Sequence, residues 1–160
     1  MIISETTKKL LNRALNQLKQ ANIKNYQWSL GGGTILKYFY NHRESDDIDI
    51  FFQDPQLISF VSPRINDANE SSLSDYSELS NFVKLYFKDG DIDFIFSNQI
   101  TDLKPKKTTI LGYEIFVEQP VEIIAKKIFY RCQTLSSRDI FDIAMVYTNE
   151  KIYYYQKLYV

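Results

Sequence analysis

The chain has 160 residues, 44% of them hydrophobic, and a formal net charge of −1. It is long enough to bury a core as one domain, and its even charge balance does not demand nucleic acid as a partner. A single cysteine, Cys132, and a single histidine, His42, exclude a disulfide framework and a Cys/His zinc set. Met1-Ile2-Ile3-Ser4-Glu5 turns polar at once and no apolar run approaches membrane-spanning length, so a cytoplasmic protein with no membrane partner is expected.

From Thr6 to Ala21, Leu10, Leu11, Ala14, Leu15 and Leu18 fall on one stripe and predict an amphipathic lid helix. Tyr26 to Leu30 reads as a strand running into Gly31-Gly32-Gly33, and Ile35 to Tyr40 as the helix those glycines open. Such a turn exposes helix N-terminal N–H groups to a phosphate, with the Thr34 hydroxyl beside them; the plainer reading is a tight strand-to-helix connection. His42 to Asp46 is a loop, and Asp47 to Phe52 a second strand. Asp54 then caps a helix that Pro55 begins and that runs to about Arg64.

Asn66 to Ser80 is rich in Ser, Asn, Asp and Glu without periodicity, a mobile loop with room for a short strand. Val83 to Lys88 and Asp91 to Phe96 flank Asp89-Gly90, a strong hairpin signal, and a second hairpin turns at Gly112 between Thr108 to Leu111 and Tyr113 to Val117. Pro120 opens a helix reaching Cys132, and Ser136 another through Tyr147, with a short helical or tail segment from about residue 149. The order predicts a single α+β domain over 1–160, a mixed sheet packed against helices; a simple Rossmann fold would keep alternating.

Strand alternation gives Asp47, Asp49 and Phe51 one face, and Ile48, Ile50 and Phe52 the other. Two neighbouring carboxylates repel unless protonated or bridged, and oxygen ligands of this kind suit Mg2+ or Mn2+. Aspartates that only keep a strand edge soluble are the rival account. The second hairpin strand offers a third carboxylate: Asp91 and Asp93 share a face with Lys84 and Tyr86, and Asp93 lies deeper in the sheet.

Three segments together resemble the AbiEii/AbiGii toxin family of the DNA polymerase β-like nucleotidyltransferase superfamily. They are Gly32-Gly33-Thr34, the run from His42 through Arg43, Ser45, Asp47 and Asp49 to Phe51, and Arg138-Asp139-Ile140-Phe141-Asp142. The likeness spans roughly Trp28 to Met145, and the His42 to Phe51 run is its most specific part. It implies a nucleotidyltransferase fold and transfer of a nucleoside monophosphate from a nucleoside triphosphate (NTP) to an acceptor hydroxyl, by a toxin of a type IV toxin-antitoxin, or abortive infection, system. On the likeness, Asp47, Asp49 and Asp93 match the metal ligands, and a lysine before the Arg-Asp motif matches Lys127 better than Lys126.

Gly32, Gly33, Thr34 and Lys127 would then hold phosphates. Arg43 and Ser45 would touch the nucleotide or brace the loop, Arg43 by pairing with a carboxylate. Arg138, Asp139 and Asp142 would orient the site's lysine or arginine, while Ser136 and Asp139 also fit a helix capping box and His42 reads as structural. The acceptor could be tRNA or protein, and a cognate antitoxin is the expected partner. Two other readings stay open: a catalytically silent module of the same fold that binds nucleotide, RNA or a partner, and an aminoglycoside-type transferase acting on small molecules. Members of the family continue into a further helical region, whereas here only Lys151 to Val160 follow, which leaves acceptor recognition open.

Overall fold

The computed structural model describes the backbone of residues 4–158 and the side chains of residues 4–150. Seven strands form one mixed sheet in the order β3-β4-β5-β2-β1-β7-β6. They are β1 (Trp28–Gly31), β2 (Ile48–Phe52), β3 (Asp75–Leu79), β4 (Phe82–Phe87), β5 (Gly90–Phe96), β6 (Lys106–Ile110) and β7 (Tyr113–Val117). β2 runs parallel to β5 and β1 parallel to β7, while the remaining neighbours are antiparallel. The helices are α1 (Glu5–Gln20), α2 (Gly32–Tyr40), α3 (Pro120–Arg131) and α4 (Ser137–Leu158).

The alternation in β2 is realised: Ile48, Ile50 and Phe52 are buried with Ile92 and Phe94 of β5, and Phe52 stacks on Phe94. Leu10, Leu11 and Ala14 of α1 close this core. α1 is therefore a packed layer and not a lid; its apolar stripe is consumed by the sheet. Ser4 caps it, accepting the Thr7 N–H at 3.0 Å, and the Ser4 hydroxyl donates to Asp46 at 2.6 Å.

Four boundaries differ from the sequence reading. β2 begins at Ile48, so Asp47 stands at its entrance. Asp54 caps as expected, but the segment Pro55–Val61 is 3-10 helix and stops at Ser62, whose extended backbone (ψ 135°) is what the following Pro63 requires. The 66–80 stretch is pinned rather than loose: Asn66 and Asn69 are buried and donate to Gln17 of α1 at 2.9 and 2.7 Å, and β3 follows as an edge strand. α4 runs on past Tyr147 to Leu158.

Candidate active site

The site is built where β1 ends and α2 begins. Gly32 has φ +72°, a conformation L side chains rarely adopt, and a Cβ there would stand 1.8 Å from Asp49 Oδ2. Glycine therefore lets the chain turn directly against the Asp49 carboxylate, which the Gly31 to Asp49 register brings alongside. α2 starts with no side-chain cap, leaving its first N–H groups beside the same carboxylate.

Asp49 makes no hydrogen bond or ion pair with any described residue. Burial, reinforced by the Asp93 charge, pushes its carboxyl up to about 7. Asp93 is its in-register neighbour on the parallel strand β5. Burial also raises Asp93, against the pull of Lys84, whose ammonium donates to Asp93 at 2.9 Å and lies 3.1 Å from Asp91. Asp47, exposed, accepts the Asp91 N–H at 3.0 Å.

Among the described residues no three His, Cys, Asp or Glu side chains converge on one metal position. Asp49 and Asp93 side by side, one of them free of any bond and resisting ionisation, nevertheless fit a hard cation that takes one or two carboxylates and completes its shell from substrate phosphate.

A second network fixes the cations. Arg43 clamps Asp142 with two bonds, Nε to Oδ1 at 2.6 Å and Nη2 to Oδ2 at 2.7 Å. Buried His42 meets the same carboxylate through Nε2 at 2.6 Å. Lys127 Nζ lies 2.6 Å from Asp139 and 3.2 Å from Asp142. Burial favours the neutral acid at both aspartates, but Lys127 and Ser136 at Asp139, and Arg43 and His42 at Asp142, hold the carboxyls below their ordinary values. Asp139 also completes the capping box: it accepts the Ser136 N–H at 3.0 Å while its own N–H donates to Ser136 Oγ at 3.2 Å. Arg138 is exposed and bonds to neither aspartate.

Thr34 and Ser45 act as braces. The Thr34 hydroxyl donates to the Asp47 carbonyl at 2.6 Å and lies 3.2 Å from Ser45 Oγ, tying α2 to the entrance of β2. Arg43 and Ser45 also back onto Gly33, where a Cβ would meet them at 2.6 and 2.9 Å.

A cleft of about 230 Å³ runs from Gly32, Gly33 and Asp49 past Phe51, with Lys126 and Lys127 of α3 among its walls. Sequence reasoning missed Glu118 at this wall and Glu122 behind it, both partners of Lys126. Lys126 bonds to Glu118, lies 3.8 Å from Glu122 and stands 4.3 Å over the Phe51 ring. Glu122 in turn accepts the N–H groups of Ile100 and Thr101 at 2.9 and 2.8 Å. Glu122 and Lys126 at helical spacing i, i+4 were the only signal, and that spacing is common on exposed helices.

The family pattern described as "Nucleotidyl transferase AbiEii toxin, Type IV TA system" matches residues 13–154. The chain belongs to this family. Among curated proteins, none matches it by sequence. AbiEii membership agrees with the fold seen in solved structures. The solution structure of the antibiotic-resistance factor ANT(2'')-Ia matches with TM-score 0.59 at 16% identity, over 91% of this chain and 85% of that one. The crystal structure of ANT(2'')-Ia with adenylyl-2''-tobramycin matches at TM-score 0.56 and 17% identity, over 97% and 99%. An antigenic nucleotidyltransferase-like protein from Paracoccidioides brasiliensis gives TM-score 0.56 at 13% identity, over 89% and 73%. The mixed sheet packed against helices, which the order of elements predicted, is thus a nucleotidyltransferase fold, as the family resemblance implied.

Proposed function

We propose that this AbiEii family member transfers a nucleoside monophosphate from an NTP to an acceptor hydroxyl and acts as the toxin of a type IV toxin-antitoxin system. The observation that carries the reading is the meeting, in one cleft, of a bond-free Asp49, the uncapped start of α2 at Gly32 and Gly33, and Lys127. In the reaction the acceptor oxygen bonds to the α-phosphorus as the bond from that phosphorus to pyrophosphate breaks. Gly32 and Gly33 would present N–H groups to the phosphates, and Lys127, held in place by Asp139 and Asp142, would add a fixed positive charge. Arg43 serves by holding Asp142, and Thr34 and Ser45 by setting the turn.

Asp49 and Asp93, with Asp47 at the strand entrance, would hold Mg2+ or Mn2+. Bound there, such an ion supplies Lewis-acid activation of the hydroxyl and neutralises triphosphate charge. A cognate antitoxin is the partner this reading requires.

Incubation with each labelled NTP, Mg2+ and total cell RNA and protein, followed by electrophoresis, tests it: a labelled acceptor that vanishes with Asp49→Asn is expected. Induced in bacteria at matched levels, the wild type should slow growth and Asp49→Asn should not. Identical growth curves would remove the toxin reading, and absence of any labelled product would remove the transferase reading.

A further inference from the structure

Glu118 lines the cleft on the other side of the glycine turn. It directly follows β7, its N–H donates to the Leu30 carbonyl at 2.9 Å, and it is 2% exposed. Oε1 is engaged by the Lys126 ammonium and by the Ser29 hydroxyl at 3.3 Å. Oε2 is buried and has no partner. A Cβ on Gly31 would lie 2.7 Å from that oxygen and 2.8 Å from Phe51 Cε2, so it is the glycine that lets both side chains close against the turn. A carboxylate oxygen taken out of water without a donor is costly, and Glu118, a residue of the cleft lining, leaves this one to a donor that the described residues do not provide. The flat ring of Phe51 and the side chains of Ile123 and Tyr130 stand by it in the same cleft, with Lys127 and Gly33 available to phosphate.

We propose that Glu118 reads the nucleobase, accepting a hydrogen bond at Oε2 from an exocyclic amino group, so that NTPs bearing such a group are preferred to UTP. The inference rests on the NTP-binding reading above. Burial raises the Glu118 carboxyl above its ordinary value, and the Lys126 ammonium at Oε1 opposes that rise; as a carboxylate, Glu118 only accepts. Cytosine presents an amino donor at the position where uracil presents the O4 carbonyl, and uracil's remaining N–H lies between two carbonyls whose lone pairs would face Glu118. The two pyrimidine nucleotides therefore differ at the one atom this oxygen would touch.

The test is titration calorimetry of the full chain, with Mg2+, against the non-hydrolysable α,β-methylene analogues of CTP and UTP. The cytidine analogue is expected to bind at least about tenfold more tightly, a discrimination characteristic of sites built around a hydrogen bond. In Glu118→Gln, whose amide also donates, the ratio should fall to within about threefold. Because that substitution disturbs Lys126, the wild type is also titrated with a cytidine analogue carrying hydrogen in place of the 4-amino group, which should bind as weakly as the uridine analogue. Equal wild-type affinity for the cytidine and uridine analogues would overturn the base-reading role and leave the NTP site standing. A uniform loss in Glu118→Gln with the ratio preserved would also overturn it, and failure of both analogues to bind would remove the NTP reading as well.

Discussion

Gly32 and Asp49 stand so close that a single methyl group on Gly32 would lie 1.8 Å from the Asp49 Oδ2 atom. The phosphate-side turn and the carboxylate strand are thereby locked to each other without a hydrogen bond between them. Gly32→Ala should destabilise the fold by more than about 2 kcal/mol, since it adds a clash to a positive-φ penalty. It should also remove NTP binding in whatever fraction remains folded. Thermal melts and nucleotide titration check this, and a variant with wild-type melting and binding would show that the turn tolerates separation from Asp49.

Asp49→Asn should abolish transfer and yet stabilise the protein in a metal-free buffer. The folded carboxyl is raised from 3.8 to about 7, so the native state binds its proton more tightly than the unfolded chain. The associated stability is present below about pH 4 and is lost as pH rises through about 7. The asparagine variant, having no proton to lose, should gain on the order of 4 kcal/mol over wild type at pH 8 and almost nothing at pH 4. Melting curves at the two pH values, with chelator present, measure the difference; an equal difference at both would detach the effect from ionisation.

The opposite sign holds for Asp142. Its carboxyl is held below the ordinary value of 3.8, so its stabilisation is present above about pH 4 and is lost as pH falls through the folded value. Asp142→Ala strands Arg43 and His42, leaves Lys127 with Asp139 alone, and should cost about 3–5 kcal/mol at pH 7, as removing one partner of a buried ion pair does. The acid limb of the stability profile should flatten in this variant. An unchanged acid limb would mean that the loss comes from packing alone.

Lys126 and Lys127 are adjacent but serve different carboxylates: Lys126 turns to Glu118 and Glu122, Lys127 to Asp139 and Asp142. Lys127→Ala should weaken binding of a non-hydrolysable NTP by about tenfold or more with a modest change in melting temperature. Lys126→Ala leaves buried Glu118 unpaired and should show chiefly as a loss of stability, by about 3 kcal/mol. Equal affinity losses at equal melting temperatures would erase the distinction.

What could be read from the residues divides along physical lines. Period-two alternation located β2, β4 and β5, and Asp89-Gly90 located the turn between the latter two, because side-chain direction in a strand is a local property. The edge strand β3 was allowed for inside the 66–80 stretch but not placed, because Asp75 to Leu79 is mostly polar and only partly buried, so its sequence resembles a loop. The roles of Arg43, Thr34 and Ser45 were open in the sequence, since whether a guanidinium or hydroxyl faces ligand or protein depends on residues as far off as Asp142. Glu118 was invisible for the same reason: only the pairing of β7 with β1, nearly ninety positions apart in the chain, brings it to the turn.

That long reach has a consequence for when the cleft can be completed. Arg43, His42 and Lys127 are all gathered by Asp142 on α4, which is made after every strand of the sheet. A chain still on the ribosome can pair β1 with β2 and present its aspartates, but it lacks the anchor for its cations until α4 has emerged. The order of translation thus delays assembly of the charged half of the cleft, and an interrupted chain that stops short of Asp142 carries the carboxylates without the network that steadies Lys127.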